Sequence, residues 1–406
     1  MSTPGRYIMK KFLLASAASM ALTGVAIADG HQGDVTLGVI LGFTGPIESI
    51  TPAMGDGAEL AMSEVTESGL LFGGASVTSV RADSTCVDSS AAQAAAERLI
   101  TSDGVHGIVG ADCSGVTGSI LANVAVPNGM VMVSPSATSP GLSTAEDNGL
   151  FFRTAPSDAR QGVVMAEIIM ERGIDTVAVT YTNNDYGQGL ADAFTAAFEE
   201  AGGTVTLSAA HEDGRADYSA EVGALASAGG DALVVAGYVD QGGSGVIQAA
   251  LDTGAFDTFV FPDGMVSQAL VDNFGSDIDG SFGQNPGTDS EGAGIYQSMA
   301  EEAGFDGTSP FSAESYDAAA LIMLAMAAAE SRNPADYMGE LMNVANAPGT
   351  EILPGQLGMA LEMIANGEEV DYVGASAVEL IGGGESAGNY REIEISGGEL
   401  TVAGYR

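Results

Sequence analysis

Short β-branched runs alternate with alanine-rich stretches of helical period along most of the chain, a pattern that dictates parallel strands joined by covering helices. Candidate strands at 35–41, 75–81, 107–110 and 130–134, with helices near 57–68, 90–102 and 115–125, form one series. A second series has strands at 176–182, 204–209, 232–236 and 258–261, separated by helices around 187–201, 218–228, 242–253 and 268–274. Each series is long enough to fold as an α/β domain with its own sheet. The segments 150–157 and 280–287, polar or punctuated by Gly and Pro, read as linkers. Helical stretches at 311–331, 334–344 and 356–365 follow, and the chain closes on an alternating strand pair, 389–395 and 399–403, around Ser396-Gly-Gly398.

Charge removes several functions. The 406 residues carry a formal net charge of −42, and three of the 12 basic residues, Arg6, Lys10 and Lys11, precede the first acid at Asp29. Without that leader the chain keeps nine arginines, no lysine and all 54 carboxylates. Such a surface repels nucleic acid and anionic bilayers, so a nucleic-acid partner is excluded. The missing lysines exclude a P-loop nucleotidase and a pyridoxal-phosphate enzyme. No G-x-G-x-x-G follows the first strand, and no C-x-x-C occurs. His31, His106 and His211 are dispersed and read as surface residues. The chain is therefore expected to be no enzyme, with no cofactor and no metal.

Residues 1–28 read as a secretory signal: a basic start, an apolar stretch at 12–27, and Ala26-Ile27-Ala28 before the cleavage point. The apolar stretch is short for a membrane span and no cysteine follows it for lipid attachment. The other comparably apolar run, 318–329, suits a buried helix. The mature chain is thus expected to be periplasmic, soluble and not membrane-embedded. An oxidising compartment lets Cys86 and Cys113 pair. Each follows an apolar segment, so if 75–81 and 107–110 are adjacent parallel strands both thiols emerge at one sheet edge; two free thiols are the alternative.

Ligands of open α/β sheets bind outside the carboxyl ends of the strands. Ser114 follows a strand and opens a helix, so its hydroxyl and the helix end suit a carboxylate, and Thr138 after the next strand completes the same anion site. Plain helix capping would explain either segment alone.

At these positions the sequence resembles the type I periplasmic binding proteins of ABC importers, in their branched-chain amino acid (leucine/isoleucine/valine-binding) group. The resemblance runs from Asp34 to about Gly404 through Gly38-Val-Ile-Leu-Gly-Phe-Thr-Gly-Pro46, Cys113-Ser114, Ser134-Pro-Ser-Ala-Thr-Ser-Pro140, Asp185-Tyr-Gly-Gln-Gly189, Gly237-Tyr238, Pro262-Asp-Gly264 and Ser315-Tyr-Asp317. It implies two Rossmann-like α/β lobes joined by three crossovers, 34–154 plus 287–373 and 155–286 plus 374–406, closing on a hinge. It implies that Ser114, Ser136, Ala137 and Thr138 hold a ligand's carboxylate and ammonium, that Tyr186 and Tyr238 close over it, and that Asp263 receives the ammonium. An Asp-Gly turn would explain Asp263 otherwise, and interlobe packing the two tyrosines. The family's disulfide falls on Cys86 and Cys113. Ile50 replaces a Tyr that lines the side-chain pocket in that group, with Glu48 beside it, and 356–371 is longer. The implied function is delivery of an amino acid, as a monomer, to ABC permease subunits. Alternatives are amides, urea or small aromatic carboxylates as ligands, or a ligand-sensing role.

Overall fold

The computed structural model describes residues 1–2 and 33–406, so all but the first two residues of the expected signal segment, and His31, lie outside the described residues. Strands β1 (Val35–Leu41), β2 (Val77–Asp83), β3 (Gly107–Gly110), β4 (Met132–Ser134) and β5 (Phe151–Pro156) build the first lobe. Strands β6 (Thr176–Thr182), β7 (Thr204–His211), β8 (Ala232–Ala236), β9 (Phe259–Phe261) and β10 (Phe282–Pro286) build the second. The short pair β11 (Thr350–Ile352) and β12 (Val370–Tyr372) stands apart, and β13 (Leu380–Ile381), β14 (Glu385–Ser386), β15 (Tyr390–Ser396) and β16 (Glu399–Tyr405) complete the chain. Two seven-stranded sheets result, in the orders β13-β14-β5-β4-β3-β1-β2 and β16-β15-β10-β9-β8-β6-β7. Strands β1 to β5 and β6 to β10 pair in parallel, while the late strands β13, β15 and β16 pair antiparallel with their neighbours. The fold is α/β with two lobes.

The two expected linkers are buried strands. β5 carries Arg153 and Thr154 at 1% exposure, and β10 carries Gln284 and Asn285 at 0%. Polar content made both look like loops; here those polar side chains lie inside. The first two crossovers lie just beyond these strands, before the helices Asp158–Glu171 and Glu291–Ala303. The segment 374–386, expected with the second lobe, instead adds β13 and β14 beside β5, so the third crossover lies between Ser386 and Tyr390. The helix Thr51–Ser68 starts earlier than the 57–68 expected. A Cβ at Gly57 would lie 2.4 Å from the Ser312 carbonyl. Glycine there lets this helix press against Ser312–Ala328, whose run Ala318–Met326 is wholly buried.

Two further expectations need correction. β1 lies between β2 and β3, so the strands ahead of Cys86 and Cys113 are not adjacent. The two cysteines nevertheless form a disulfide across the end of β1, with Cα atoms 5.1 Å apart. Gly42 makes the passage possible, since a Cβ there would stand 2.9 Å from Asp112 Oδ2 and 3.1 Å from Cys86 Cβ. His211 is buried at the end of β7, with Nδ1 2.8 Å from Thr180 Oγ1, and burial pushes its pKa down to about 4. His106 is half-buried and its Nδ1 accepts the Thr36 N–H at 3.1 Å. Among the described residues no helix is long and apolar enough to cross a membrane, and no cluster of His, Cys, Asp and Glu is placed to hold a metal.

Candidate functional site

In the first lobe, β3 ends at Gly110 and the chain turns through Asp112 and Cys113 into the helix Ser114–Ile120, which continues as a wider turn over Leu121–Ala125. No side chain caps this helix start, so its first N–H groups remain donors without a side-chain partner. Asp112 braces the turn from beneath: its carboxylate accepts the Gly42 N–H at 2.6 Å and the Ser84 hydroxyl at 2.8 Å, and burial raises its pKa. The loop after β4 docks on the same turn. Ser136 Oγ donates to the Asp112 carbonyl at 3.2 Å, the Ser139 N–H donates to Ser114 Oγ at 3.1 Å, and the Ala137 N–H donates to Ser134 Oγ at 2.9 Å. Arg153, 1% exposed, fastens that loop by donating to the Ala137 and Ser139 carbonyls at 3.0 and 2.9 Å, to Ser143 Oγ at 2.7 Å and to Glu385 at 2.6 Å.

The second lobe supplies the opposite wall. Asn184 caps the helix Asp185–Glu200 and so points Tyr186 inward. The Tyr186 hydroxyl donates to Asp263 Oδ1 at 2.6 Å, and its ring stacks on Tyr238 with centroids 5.2 Å apart. Asp263 Oδ1 also accepts the Gly264 N–H at 2.8 Å. The lobes touch: Asp240 accepts the Ser49 N–H at 2.8 Å and donates its own N–H to the Pro46 carbonyl at 3.0 Å.

Ser114, Ser136, Tyr186, Tyr238, Asp263 and Ile50 line one cavity of about 20 Å³ between the lobes. Ala137 and Thr138, expected with them, are buried behind it; Ala137 spends its N–H on Ser134 and its carbonyl on Arg153. Glu48 is exposed, its carboxylate accepting the Gly45 N–H at 3.3 Å, and Ile47 takes the inward place. The tight turn at 45–48 rotates Glu48 outward while Ile47 and Ile50, three residues apart, face in.

Asp158 was not anticipated. It is 0% exposed, opens the helix that follows the first crossover, and donates its N–H to the Thr138 carbonyl at 2.8 Å. Neither carboxylate oxygen makes a well-aligned hydrogen bond among the described residues, nor do the Thr138 and Tyr390 hydroxyls or the Gln161 amide, though Thr138 and Gln161 lie close enough to Asp158 and Asp263 to lower them somewhat. Burial raises Asp158 well above the ordinary carboxylate range, and the Asp263 charge raises it further. Asp263 is itself raised by burial, against the hydrogen bonds from Tyr186 and Gly264. Two buried acids thus share one region, and Arg153, the cation acting on Asp158, is committed to Glu385. Buried polar groups normally have partners and buried charges are normally compensated, so this region favours a cationic group rich in donors.

A family model described as periplasmic binding protein matches residues 34–360, most of the chain. The chain belongs to the type I periplasmic binding proteins. Within them it joins the branched-chain amino acid family, whose members are solute-binding proteins and not enzymes. Leu/Ile/Val-binding protein homolog 3 of Brucella melitensis is 36% identical over 232 residues, which are 57% of this chain and 61% of that protein. The match therefore spans less than two thirds of that relative. The branched-chain amino acid transporter substrate-binding protein LivJ of Streptococcus pneumoniae, solved with isoleucine, superposes with a TM-score of 0.75 at 20% identity, covering 92% of this chain and 99% of that one. A solute-binding protein of R. palustris, solved with benzoate, has a TM-score of 0.72 at 17% identity, covering 92% and 96%. At such identities these two structures share the fold with this periplasmic binding protein, whatever each holds.

Proposed function

We propose that this periplasmic binding protein encloses an α-amino acid, of branched-chain or similar type, between its lobes and delivers it to the permease of an ABC importer. One observation carries the reading: Asp263, whose charge acts on the buried Asp158, lines the same interlobe cavity as Ser114 and Ser136 at the uncapped helix start. An ammonium compensates two buried carboxylates that otherwise repel each other, and a carboxylate accepts from hydroxyls and helix N–H groups. An aromatic carboxylate such as benzoate would satisfy the helix end and leave both acids uncompensated. An amide or urea would supply donors without charge. The export signal expected at the N-terminus accords with action outside the cytoplasm, where a ligand trapped by lobe closure is carried to the membrane. A thermal-shift screen against leucine, isoleucine, valine, acetamide, urea and benzoate tests the reading. An amino acid at 100 times its dissociation constant should add about 2.7 kcal/mol of stability. Stabilisation by benzoate or the amides with none from amino acids would overturn it.

A further inference from the structure

We propose that the ligand cavity continues past Ile50 into a second chamber, where Arg391 receives a terminal hydrogen-bond acceptor on a long side chain of the bound amino acid. The proposal rests on the amino-acid reading above and names the side-chain class. Ile50, 3% exposed, lines both the cavity of about 20 Å³ and a larger cleft of about 520 Å³. That cleft also lies between the lobes, with Phe305 and Pro310 from the first and Val266 and Leu400 from the second. Ile50 is the residue common to both linings, so it stands between the wall that carries Ser114 and Asp263 and a space with room for a longer tail. The cleft lining includes Pro52, Ala53, Val266 and Phe305, which suit methylene groups.

At its far side the cleft carries an uncommitted cation. Arg391 stands on β15, just past the third crossover, and lines the cleft. Its guanidinium donates to Asn285 Oδ1 at 3.4 Å and to the Thr308 carbonyl at 3.3 Å, both long. Among the described residues no carboxylate lies within ion-pair distance of it, whereas Arg81, Arg98, Arg153, Arg172, Arg215 and Arg406 each have one. Burial pushes its pKa down, and the more distant Glu314 and Asp306 push it up. Guanidinium donors left over in a partly buried cleft recognise a carboxylate or amide oxygen well. Asp306, also on this wall, can accept from the NH2 of a carboxamide but repels a carboxylate, so the two acceptor types are separable by experiment.

Calorimetry on the exported chain with methionine, glutamine and glutamate, matched in length but differing at the tip, tests this. Glutamine or glutamate should bind the wild type at least about tenfold more tightly than methionine. Arg391→Met should abolish that preference while changing methionine affinity less than about twofold. Ile50→Ala, which widens the passage, should strengthen glutamine relative to valine. Glutamine favoured over glutamate assigns a carboxamide, and the reverse a carboxylate. Equal affinity for all three in the wild type, or an equal loss for all three in Arg391→Met, would overturn the second chamber and leave the amino-acid reading intact. Failure of every amino acid to bind would instead overturn the amino-acid reading beneath it.

Discussion

Asp263→Asn is expected to weaken amino-acid binding by about 2 to 5 kcal/mol, the cost of removing one partner from a buried charge pair. The change is nearly isosteric. The Asn Oδ1 can still accept from the Tyr186 hydroxyl and the Gly264 N–H, now made at 2.6 and 2.8 Å, so the wall keeps its shape. Stability of the ligand-free protein should stay level or rise slightly, because the substitution relieves the repulsion of Asp158. An Asp263 that served only the Asp-Gly turn would show no loss of affinity by calorimetry. The pH dependence follows from the same pair. Both acids have folded-state pKa values raised above the ordinary carboxylate value, chiefly by burial. Between that ordinary value and the raised one the folded protein holds protons that the unfolded chain has released, so ligand-free stability falls as pH rises through the window. Glu314, which burial pushes up to about 7, adds in the same direction. Ammonium binding needs the charged carboxylates, so affinity should move the opposite way and decline on acidification. Thermal unfolding of the ligand-free protein and calorimetry across the acid-to-neutral range should show these opposed trends, and Asp263→Asn should flatten both. Parallel trends would count against an ammonium beside the pair.

Arg153→Met should cost the fold about 3 to 5 kcal/mol, the range for stranding the partner of a buried ion pair. The guanidinium joins the Ala137 and Ser139 carbonyls to Glu385, so it ties the loop behind the site to the β13-β14 edge of the first sheet. Arg153→Lys should recover little, because one ammonium cannot reproduce the fork that reaches two carbonyls, Ser143 and Glu385 together. Denaturant unfolding measures the loss, and a cost under about 1 kcal/mol would show that the loop is held by its serine hydrogen bonds alone.

The parts of the molecule that were legible in the sequence are those where burial and apolarity coincide. β3 and β8 are aliphatic runs and β1 and β6 largely so; the end of β3 pointed to Ser114, whereas Ser136 and Asp263 came from the family resemblance. β5 and β10 were hidden because their interior residues are Arg153, Thr154, Gln284 and Asn285, inside for the sake of long-range partners or of their place at the lobe junction. Asp158 was hidden for a related reason: an acid in the first turn of a helix is ordinary in sequence, and only its full burial in the fold shows that it is sealed from water. Glu48 misled because its neighbour Ile50 faces the cavity, while a turn two residues earlier sends the glutamate outward. Arg391 carried no local signal, since nothing in an alternating edge strand distinguishes an arginine facing a cleft from one on a solvated surface.

On the function proposed above, the buried acid pair selects a ligand bearing an α-ammonium. The most direct test titrates the protein at neutral pH with leucine and with 4-methylpentanoate, which keeps the carbon skeleton and the carboxylate and lacks only the amino group. Leucine should bind and close the lobes, and the desamino acid should bind at least about a hundredfold more weakly, in line with the loss of a buried charge pair. Equal affinity for the two, or tighter binding of the desamino acid, would contradict the account.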